Sequence, residues 1–233
     1  MQIKSITTAL ESWAPLSFQE SYDNAGLIIG DPQMECTGIL CSLDCTEAVL
    51  EEAIEKGCNL IVSHHPIFFK GIKQFIPNHY VTSVAIKALK NKIALYAIHT
   101  NLDNIIDGVN KSIADKLHLE NRQILDPKPG IFDSKGMPVG SGLKGELPLE
   151  TEEQDFVKWV KEKLNLELVK HTHFTSKRLK TIALCGGSGS FLIPSVKAQK
   201  VDCFITSDLK YHEFFDYFLE IFFSGCHFLE LKI

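Results

Sequence analysis

The chain has 233 residues, enough for one large domain or two compact halves. Apolar residues make up 45% and charged residues 23%, proportions that exclude a chain disordered as a whole. With 24 Lys and Arg against 29 Asp and Glu, the formal charge is -5. That leaves too little positive charge for nucleic acid to be an expected partner.

The sequence also lacks the features of a membrane or exported protein. No segment reaches the roughly 18–20 consecutive apolar residues of a membrane span. Acidic Glu11 interrupts the N-terminal segment where a signal peptide would be uncharged. The seven cysteines form no C-x-x-C pair and no zinc-finger spacing, so they are expected as buried hydrophobic residues in a reducing compartment. We therefore expect a cytoplasmic protein without a membrane partner.

The first half alternates short aliphatic runs with segments of helical period, which is typical of a layered α/β protein. Apolar positions at 49, 50, 53 and 54 predict a helix that Gly57 closes, and residues 78–90 carry a second helical stripe. Three aliphatic runs predict central strands buried on both faces, namely residues 38–41, 59–62 and 93–98.

Proline and glycine change the pattern from about residue 121. The segments 126–130 and 136–138 are expected to interrupt any regular element, which places a domain boundary there. A second, smaller α/β unit is predicted beyond it. Its elements are a glycine-rich strand at 139–147, a helix at 151–164, a strand at 180–185, a helix at 193–200, a strand at 201–206 and a helix at 211–218.

The strongest chemical signal is Ser63-His64-His65-Pro66, directly after the predicted strand at 59–62. Ligands in open α/β sheets bind beyond the carboxyl ends of the strands. Pro66 favours an extended conformation for His65, so a turn between the two imidazoles can bring them together. The alternative is a polar strand end with one solvated and one packed histidine.

A second polar segment, His99-Thr100-Asn101-Leu102-Asp103-Asn104, follows the strand at 93–98. Three histidines and one carboxylate should thus reach the same edge of the sheet. Imidazole together with carboxylate suits zinc, iron, manganese or nickel, whereas magnesium and calcium prefer oxygen alone. Near the end of the chain, His227 and Glu230 could add one nitrogen and one oxygen ligand. Asp103 or Glu230 could then bridge two divalent ions about 3.5–4 Å apart.

Two weaker signals lie in the second half. Gly186-Gly187-Ser188-Gly189 could present backbone N–H groups to a phosphate. It lacks both the Walker Lys-Ser/Thr and the spacing of a dinucleotide fingerprint, so a plain tight turn is the favoured interpretation. His212 and Lys210, near Asp208, could serve as acid/base groups of a metal cavity or form a solvated helix turn.

Five motifs in a fixed order carry a family resemblance. They are Glu20-Ser21-Tyr22-Asp23-Asn24-Ala25-Gly26-Leu27, Ser63-His64-His65-Pro66, His99-Thr100-Asn101-Leu102-Asp103, Cys185-Gly186-Gly187-Ser188-Gly189-Ser190 and Thr206-Ser207-Asp208-Leu209-Lys210-Tyr211-His212-Glu213. Over nearly the whole chain, this order resembles the NIF-three-like proteins, also called GTP cyclohydrolase I type 2 homologues. The first motif is similar to the W-D-N-x-G-L element of that family.

The resemblance implies a dinuclear metal site. Its ligands would be His64, His65 and Asp103, completed by a C-terminal His and Glu that we assign to His227 and Glu230. Family members usually place that Glu four residues after the His, whereas Glu230 follows His227 by three.

The resemblance also implies the NIF-three-like fold, with two α/β lobes whose mixed sheets are flanked by helices. We expect a metal-site lobe formed by residues 1–124 and 206–233, and a smaller lobe at 125–205. The family relationship further implies a homo-oligomer, a toroidal hexamer whose metals face an inner cavity.

The function predicted from these residues is metal-dependent hydrolysis. Hydroxide formed at two divalent ions would attack a phosphoester or a ring carbon of a nucleotide-like small molecule, while His99 or His212 moves the proton. Two alternatives remain at this point: a metal-stabilised oligomeric scaffold or regulatory partner without turnover, and a site that holds one metal only.

Overall fold

The structure is a computed structural model and describes residues 1–209. The chain divides into two compact units, Met1–Leu102 and Asp103–Ile233. No helix in the described residues is both long enough and apolar enough to cross a membrane.

The first unit is built on a four-stranded sheet with helices before, between and after its strands. Its elements in chain order are α1 (Ile3–Trp13), β1 (Gly26–Ile29), β2 (Ile39–Ser42), α2 (Glu47–Glu55), β3 (Leu60–Ser63), α3 (Tyr80–Lys90), β4 (Ala94–Ala97) and the short α4 (Thr100–Asp103), which runs into the second unit.

The sheet of the first unit has the strand order β1-β4-β3-β2. Strands β2, β3 and β4 are parallel, and β1 is antiparallel to β4. Because Ser63 pairs with Ala97 across β3 and β4, the two strands end at the same level. The residues that follow each strand therefore leave the sheet at one common edge, as the sequence predicted.

Local sequence explains the helices that pack on this sheet. The Thr46 hydroxyl accepts a hydrogen bond from Val49 N (3.3 Å) and caps α2, and Gly57 has a φ of +67°, the conformation of a helix-ending glycine. Buried residues on one face of α2 and one face of α3 pack against the sheet. The core of this unit includes Leu50, Ala53, Ile61, Val84, Ala85, Ala88 and Leu95.

One strand prediction was wrong in its detail. The run at 38–41 was expected to be a central strand buried on both faces, but β2 lies at the edge of the sheet. Ile39 is 45% exposed, and burial alternates along the strand. An edge strand has a neighbour on one side only, so aliphatic composition alone could not fix its position.

The second unit also contains a four-stranded sheet, ordered β5-β6-β7-β8. The first three strands are antiparallel neighbours, and β7 and β8 are parallel. Both sheets are therefore mixed, and the predicted α/β fold class is confirmed. The elements in chain order are α5 (Val109–Lys116), β5 (Glu120–Phe132), β6 (Pro138–Glu152), α6 (Glu153–Lys163), β7 (Arg178–Cys185), α7 (Ile193–Ala198) and β8 (Cys203–Thr206).

The proline- and glycine-rich segment forms strand, contrary to the expectation that it would interrupt regular structure. β5 continues through residues 126–130, with Asp126 opposite Ser141 and Pro127 opposite Gly140. β5 is an edge strand, where a residue without an N–H can be accommodated on the side that has no neighbour. The pairing of β6 with β7 begins at Leu143, so the outer part of the β5–β6 hairpin is a two-stranded ribbon.

The two compact units meet in the sequence at Leu102 and Asp103, and the lobes predicted at 1–124 with 206–233 and at 125–205 stay a prediction. Residues 109–116 form α5, and its Ile113 and Ala114 lie in the same core as Leu143 and Ile182 of the second sheet. The part of the domain prediction that concerns 206–233 falls mostly outside the described residues, as does the helix predicted at 211–218.

Candidate metal centre

Three histidines meet where β3 and β4 end. His64 and His65 directly follow β3, and His99 lies two residues beyond β4. Their ring centroids are 5.1 Å apart for His64 and His65, 5.1 Å for His64 and His99, and 5.5 Å for His65 and His99. The convergence predicted from the two strand ends is present in the structure.

One ring nitrogen from each histidine lies within 4.8 Å of the other two, so the three could hold a metal ion. Nitrogen ligands sit about 2.0–2.1 Å from zinc, so two of them on one ion are at most about 4.2 Å apart. Small side-chain rotations would therefore bring all three nitrogens to a single ion.

The hydrogen bond of His64 decides which of its nitrogens can bind metal. Its Nδ1 lies 2.9 Å from the carbonyl oxygen of Ile98. A carbonyl oxygen only accepts, so Nδ1 must carry the hydrogen and the neutral ring keeps its lone pair on Nε2.

Carboxylates hold the other two rings in the same way. His65 Nδ1 lies 2.8 Å from Asp44 Oδ1, and His99 Nδ1 lies 2.8 Å from Asp23 Oδ1. An ionised carboxylate also only accepts, so in the neutral form of each ring the lone pair again lies on Nε2. A ring N–H bound to a carboxylate or carbonyl is the usual arrangement for histidines that ligate metals.

The protonation state of His64 favours metal binding. Burial, followed by the nearby rings of His99 and His65, lowers the pKa of His64 from 6.5 to about 4. The ring is therefore neutral near pH 7 and can donate its lone pair. Phe69 adds an apolar surface beside the cluster, because its half-exposed ring meets that of His99 edge-on at 5.6 Å.

Comparison with known proteins places the chain in a family. Residues 1–228 match the Duf34/NIF3 (NGG1p interacting factor 3) family. This protein belongs to the Duf34/NIF3 family. A relative from Clostridium acetobutylicum, named GTP cyclohydrolase 1 type 2 homolog, is 32% identical over 217 residues, which cover 93% of this chain and 80% of the relative. The family resemblance predicted from the five motifs is confirmed.

Solved structures of Duf34/NIF3 proteins agree with the fold. The crystal structure of Staphylococcus aureus protein SA1388 is similar with a TM-score of 0.87 and 32% identity, over 97% of this chain and 85% of that one. A Bacillus cereus protein related to NIF3 has a TM-score of 0.88 at 22% identity, over 97% of this chain and 88% of that one, a likeness of fold alone.

Asp103, the predicted carboxylate ligand, is the last residue of α4 and the first residue of the second unit. Its carbonyl oxygen accepts a hydrogen bond from Asn110 Nδ2 (3.1 Å), while Asn110 Oδ1 accepts from Gly186 N (2.8 Å). Asn110 is buried, at 3% exposed. Its two hydrogen bonds connect the end of α4 to the residue that follows β7, within the second unit. Ligation by Asp103 stays a prediction. The predicted residues His212, His227 and Glu230 lie outside the described residues.

Sequence reasoning missed the two carboxylates that hold His65 and His99. Asp44 lies two residues after β2, at the edge where β3 also ends, so the strand-end rule could have found it. Asp23 precedes β1 and is 76 residues from His99, so no local pattern connects the two. Its position within the quoted motif at 20–27 was the available signal.

The glycine-rich turn after β7 is closed by the Thr206 side chain, at the end of β8. The Thr206 hydroxyl accepts from Gly189 N (2.9 Å) and donates to the Gly187 carbonyl (2.9 Å). Ser207 N donates to the same carbonyl at 3.0 Å. These bonds fit the tight-turn interpretation better than a phosphate loop, because the hydroxyl already takes up the Gly189 N–H.

Proposed function

We propose that this Duf34/NIF3 protein is a cytoplasmic metal-dependent hydrolase of phosphoester or nucleotide-like small molecules. Its two divalent ions would be held by His64, His65 and Asp103, completed by His227 and Glu230. One observation supports the proposal most: three histidines from two strand ends form one cluster, and each is bonded at Nδ1 to an acceptor, which places the lone pair of the neutral ring on Nε2.

The donor set fits a transition metal. Imidazoles with carboxylates nearby suit zinc, iron, manganese or nickel, and the lowered pKa of His64 keeps that ring neutral near pH 7, so an ion would displace no proton from it. When bound, such ions would polarise the substrate and lower the pKa of a water molecule toward neutrality.

The chain itself would supply orientation and proton transfer. His64 is oriented by a main-chain carbonyl and His65 by a carboxylate, so only small side-chain rotations are needed for either ring to bind. His99 would accept a proton at Nε2, and the Asp23 carboxylate at Nδ1 would stabilise the imidazolium that forms. His212 remains the alternative proton carrier.

Turnover and metal content test this function together. The purified chain would be loaded separately with zinc, manganese, iron and nickel, and its metal content measured. Each form would then be screened against nucleotides, phosphomonoesters and phosphodiesters. We expect about two ions per chain and turnover that Asp103→Asn removes. The matched control is Asp155→Asn, since Asp155 is exposed and pairs with Lys158 in α6.

A metal-stabilised scaffold without turnover is the competing function. It predicts full metal loading, a stable oligomer and no hydrolysis of any substrate in the screen. Loading near one ion per chain would instead contradict the dinuclear part of the proposal. We further propose a hexamer on the basis of family membership, which light scattering of the purified chain would test.

A further inference from the structure

A single buried carboxylate, that of Asp23, connects the segments around the histidine cluster. Its Oδ1 accepts from Asn24 N (2.7 Å) and from His99 Nδ1 (2.8 Å). Its Oδ2 accepts from Thr100 N (3.0 Å) and from the Thr100 hydroxyl. The side chain is 0% exposed, so these four donors replace the water that a carboxylate would otherwise bind.

The segment that carries Asp23 is itself tied to both strand ends. The Thr100 hydroxyl accepts from Glu20 N (2.9 Å), and Asn24 Nδ2 donates to the Phe68 carbonyl (2.8 Å). Residues 20–24 therefore contact the chain that follows β3 and the chain that follows β4. The Asp23 carboxylate is thereby held in place from several directions.

From this arrangement we propose that Asp23 is the positioning residue for His99: it fixes the ring on the Nδ1–H tautomer and caps α4 with the same carboxylate. The inference rests on the proposed function for its catalytic consequence, but the tautomer can be measured without turnover. Asp23 would not be a catalytic residue, because it lies buried on the Nδ1 side of the ring, away from the Nε2 lone pair.

The hydrogen-bond pattern explains why a carboxylate is needed there. Each oxygen faces one backbone N–H, from Asn24 on one side and Thr100 on the other. A backbone N–H can only donate, so both positions require an acceptor. An asparagine has one acceptor oxygen, so whichever way its amide turns, one backbone N–H would face an NH2 group. Asp23→Asn would therefore lose either the cap of α4 or the constraint on His99.

The decisive measurement is the nitrogen-15 spectrum of the histidine side chains in the metal-free protein at pH 8. In the wild-type chain, we expect His99 to show a protonated Nδ1 and an unprotonated Nε2. In Asp23→Asn, we expect mixed or inverted tautomers for His99, with His64 unchanged. Thr100→Val keeps the Asp23–His99 contact and should retain the wild-type tautomer.

Metal binding and kinetics separate positioning from general support of the fold. For the zinc-loaded Asp23→Asn chain, we expect kcat to fall about 100-fold or more while KM and zinc affinity change by only a few-fold. A purely structural role would lower zinc affinity and thermal stability together and leave the His99 tautomer unchanged. Asp115→Asn is the matched control, because Asp115 is an exposed partner of Lys111 and Arg122 in the second unit.

Two results would overturn the inference. One is a wild-type His99 that carries its hydrogen on Nε2, which can be seen even if Asp23→Asn does not fold. The other is an Asp23→Asn chain with wild-type His99 signals and wild-type kcat. If the wild-type chain hydrolyses nothing but His99 shows the expected tautomer, the proposed function fails and the positioning role of Asp23 stands.

Discussion

The imidazole of His64 donates from Nδ1 to the main-chain carbonyl of Ile98 at 2.9 Å, which joins the end of β3 to the chain just beyond β4. Ile98 N in turn donates to the Ser63 carbonyl at 2.9 Å. The orientation of His64 is thus set by the backbone of the sheet and does not depend on another mobile side chain.

Acid should destabilise the metal-free protein in two steps. The folded pKa of His64 is about 4 against 6.5 when unfolded, so the unfolded state binds the proton more readily. The free energy of unfolding is therefore unaffected by protonation of His64 above pH 6.5 and falls by about 3 kcal/mol as the pH falls toward 4. His64→Asn keeps a donor for the Ile98 carbonyl and should lack this step in urea unfolding measured from pH 8 to 4.

The second step belongs to Asp23. Burial alone would raise its pKa, but hydrogen bonds from His99, Thr100 and Asn24 outweigh burial and lower the pKa from 3.8 to about 2. The ionised Asp23 carboxylate therefore adds to the free energy of unfolding above pH 3.8, and this contribution is lost as the pH falls toward 2. Unfolding curves that remain unchanged between pH 4 and 2 would contradict this assignment.

Metal should stabilise the fold through His64 and His65. At a free zinc concentration 100 times the Kd, binding to the folded state alone adds about 2.7 kcal/mol to the free energy of unfolding. His64→Ala and His65→Ala should lose most of this gain in thermal unfolding with and without zinc. His173→Ala, which removes an exposed histidine of the second unit, should keep it.

Adding a single Cβ atom at Gly140 should destabilise the protein. A Cβ there would lie 2.2 Å from the Asp126 carbonyl oxygen and 2.6 Å from Pro127 Cα, both backbone atoms of the paired strand. Gly140→Ala should therefore lower the free energy of unfolding by about 1–3 kcal/mol, the usual cost of overpacking, as measured by chemical denaturation. A Cβ at Gly136 meets no atom within 4 Å, so Gly136→Ala should cost only the roughly 1–2 kcal/mol that follow from the positive φ of +76°.

Glu153 should hold the loop before β7. This carboxylate is 4% exposed and accepts from Thr175 N (2.7 Å), the Thr175 hydroxyl (2.5 Å) and Ser176 N (2.9 Å). Glu153→Gln exchanges one acceptor oxygen for a donor and should cost about 1–3 kcal/mol. Hydrogen exchange at Thr175 and Ser176 should speed up in this variant and stay unchanged in the exposed control Glu162→Gln.

The sequence predicted the fold best where helical period and strand composition agree. The stripe at 78–90 became α3, and the runs at 59–62 and 93–98 became β3 and β4. It failed at 126–130, because proline content does not reveal that a strand will lie at a sheet edge. Strand order depends on contacts between distant segments, and a single sequence does not encode these as a local pattern.

The candidate metal site could likewise be predicted from the sequence only in part. His64, His65 and His99 could be brought together because the ends of parallel neighbouring strands share an edge. Asp23 could not be placed, since its pairing with His99 depends on the path of the chain before β1. The roles predicted for Asp103, His212, His227 and Glu230 stay predictions.

The ribbon formed by the outer parts of β5 and β6 offers a practical use. Its turn is closed locally, with Asp133 Oδ1 accepting from Lys135 N (2.8 Å) and Met137 N (2.8 Å). The residues of β6 that precede Leu143 do not pair with β7, so additional sequence at residues 134–136 would leave the remaining sheet pairing intact. This turn is therefore a suitable place to graft a fluorescent reporter or an affinity handle.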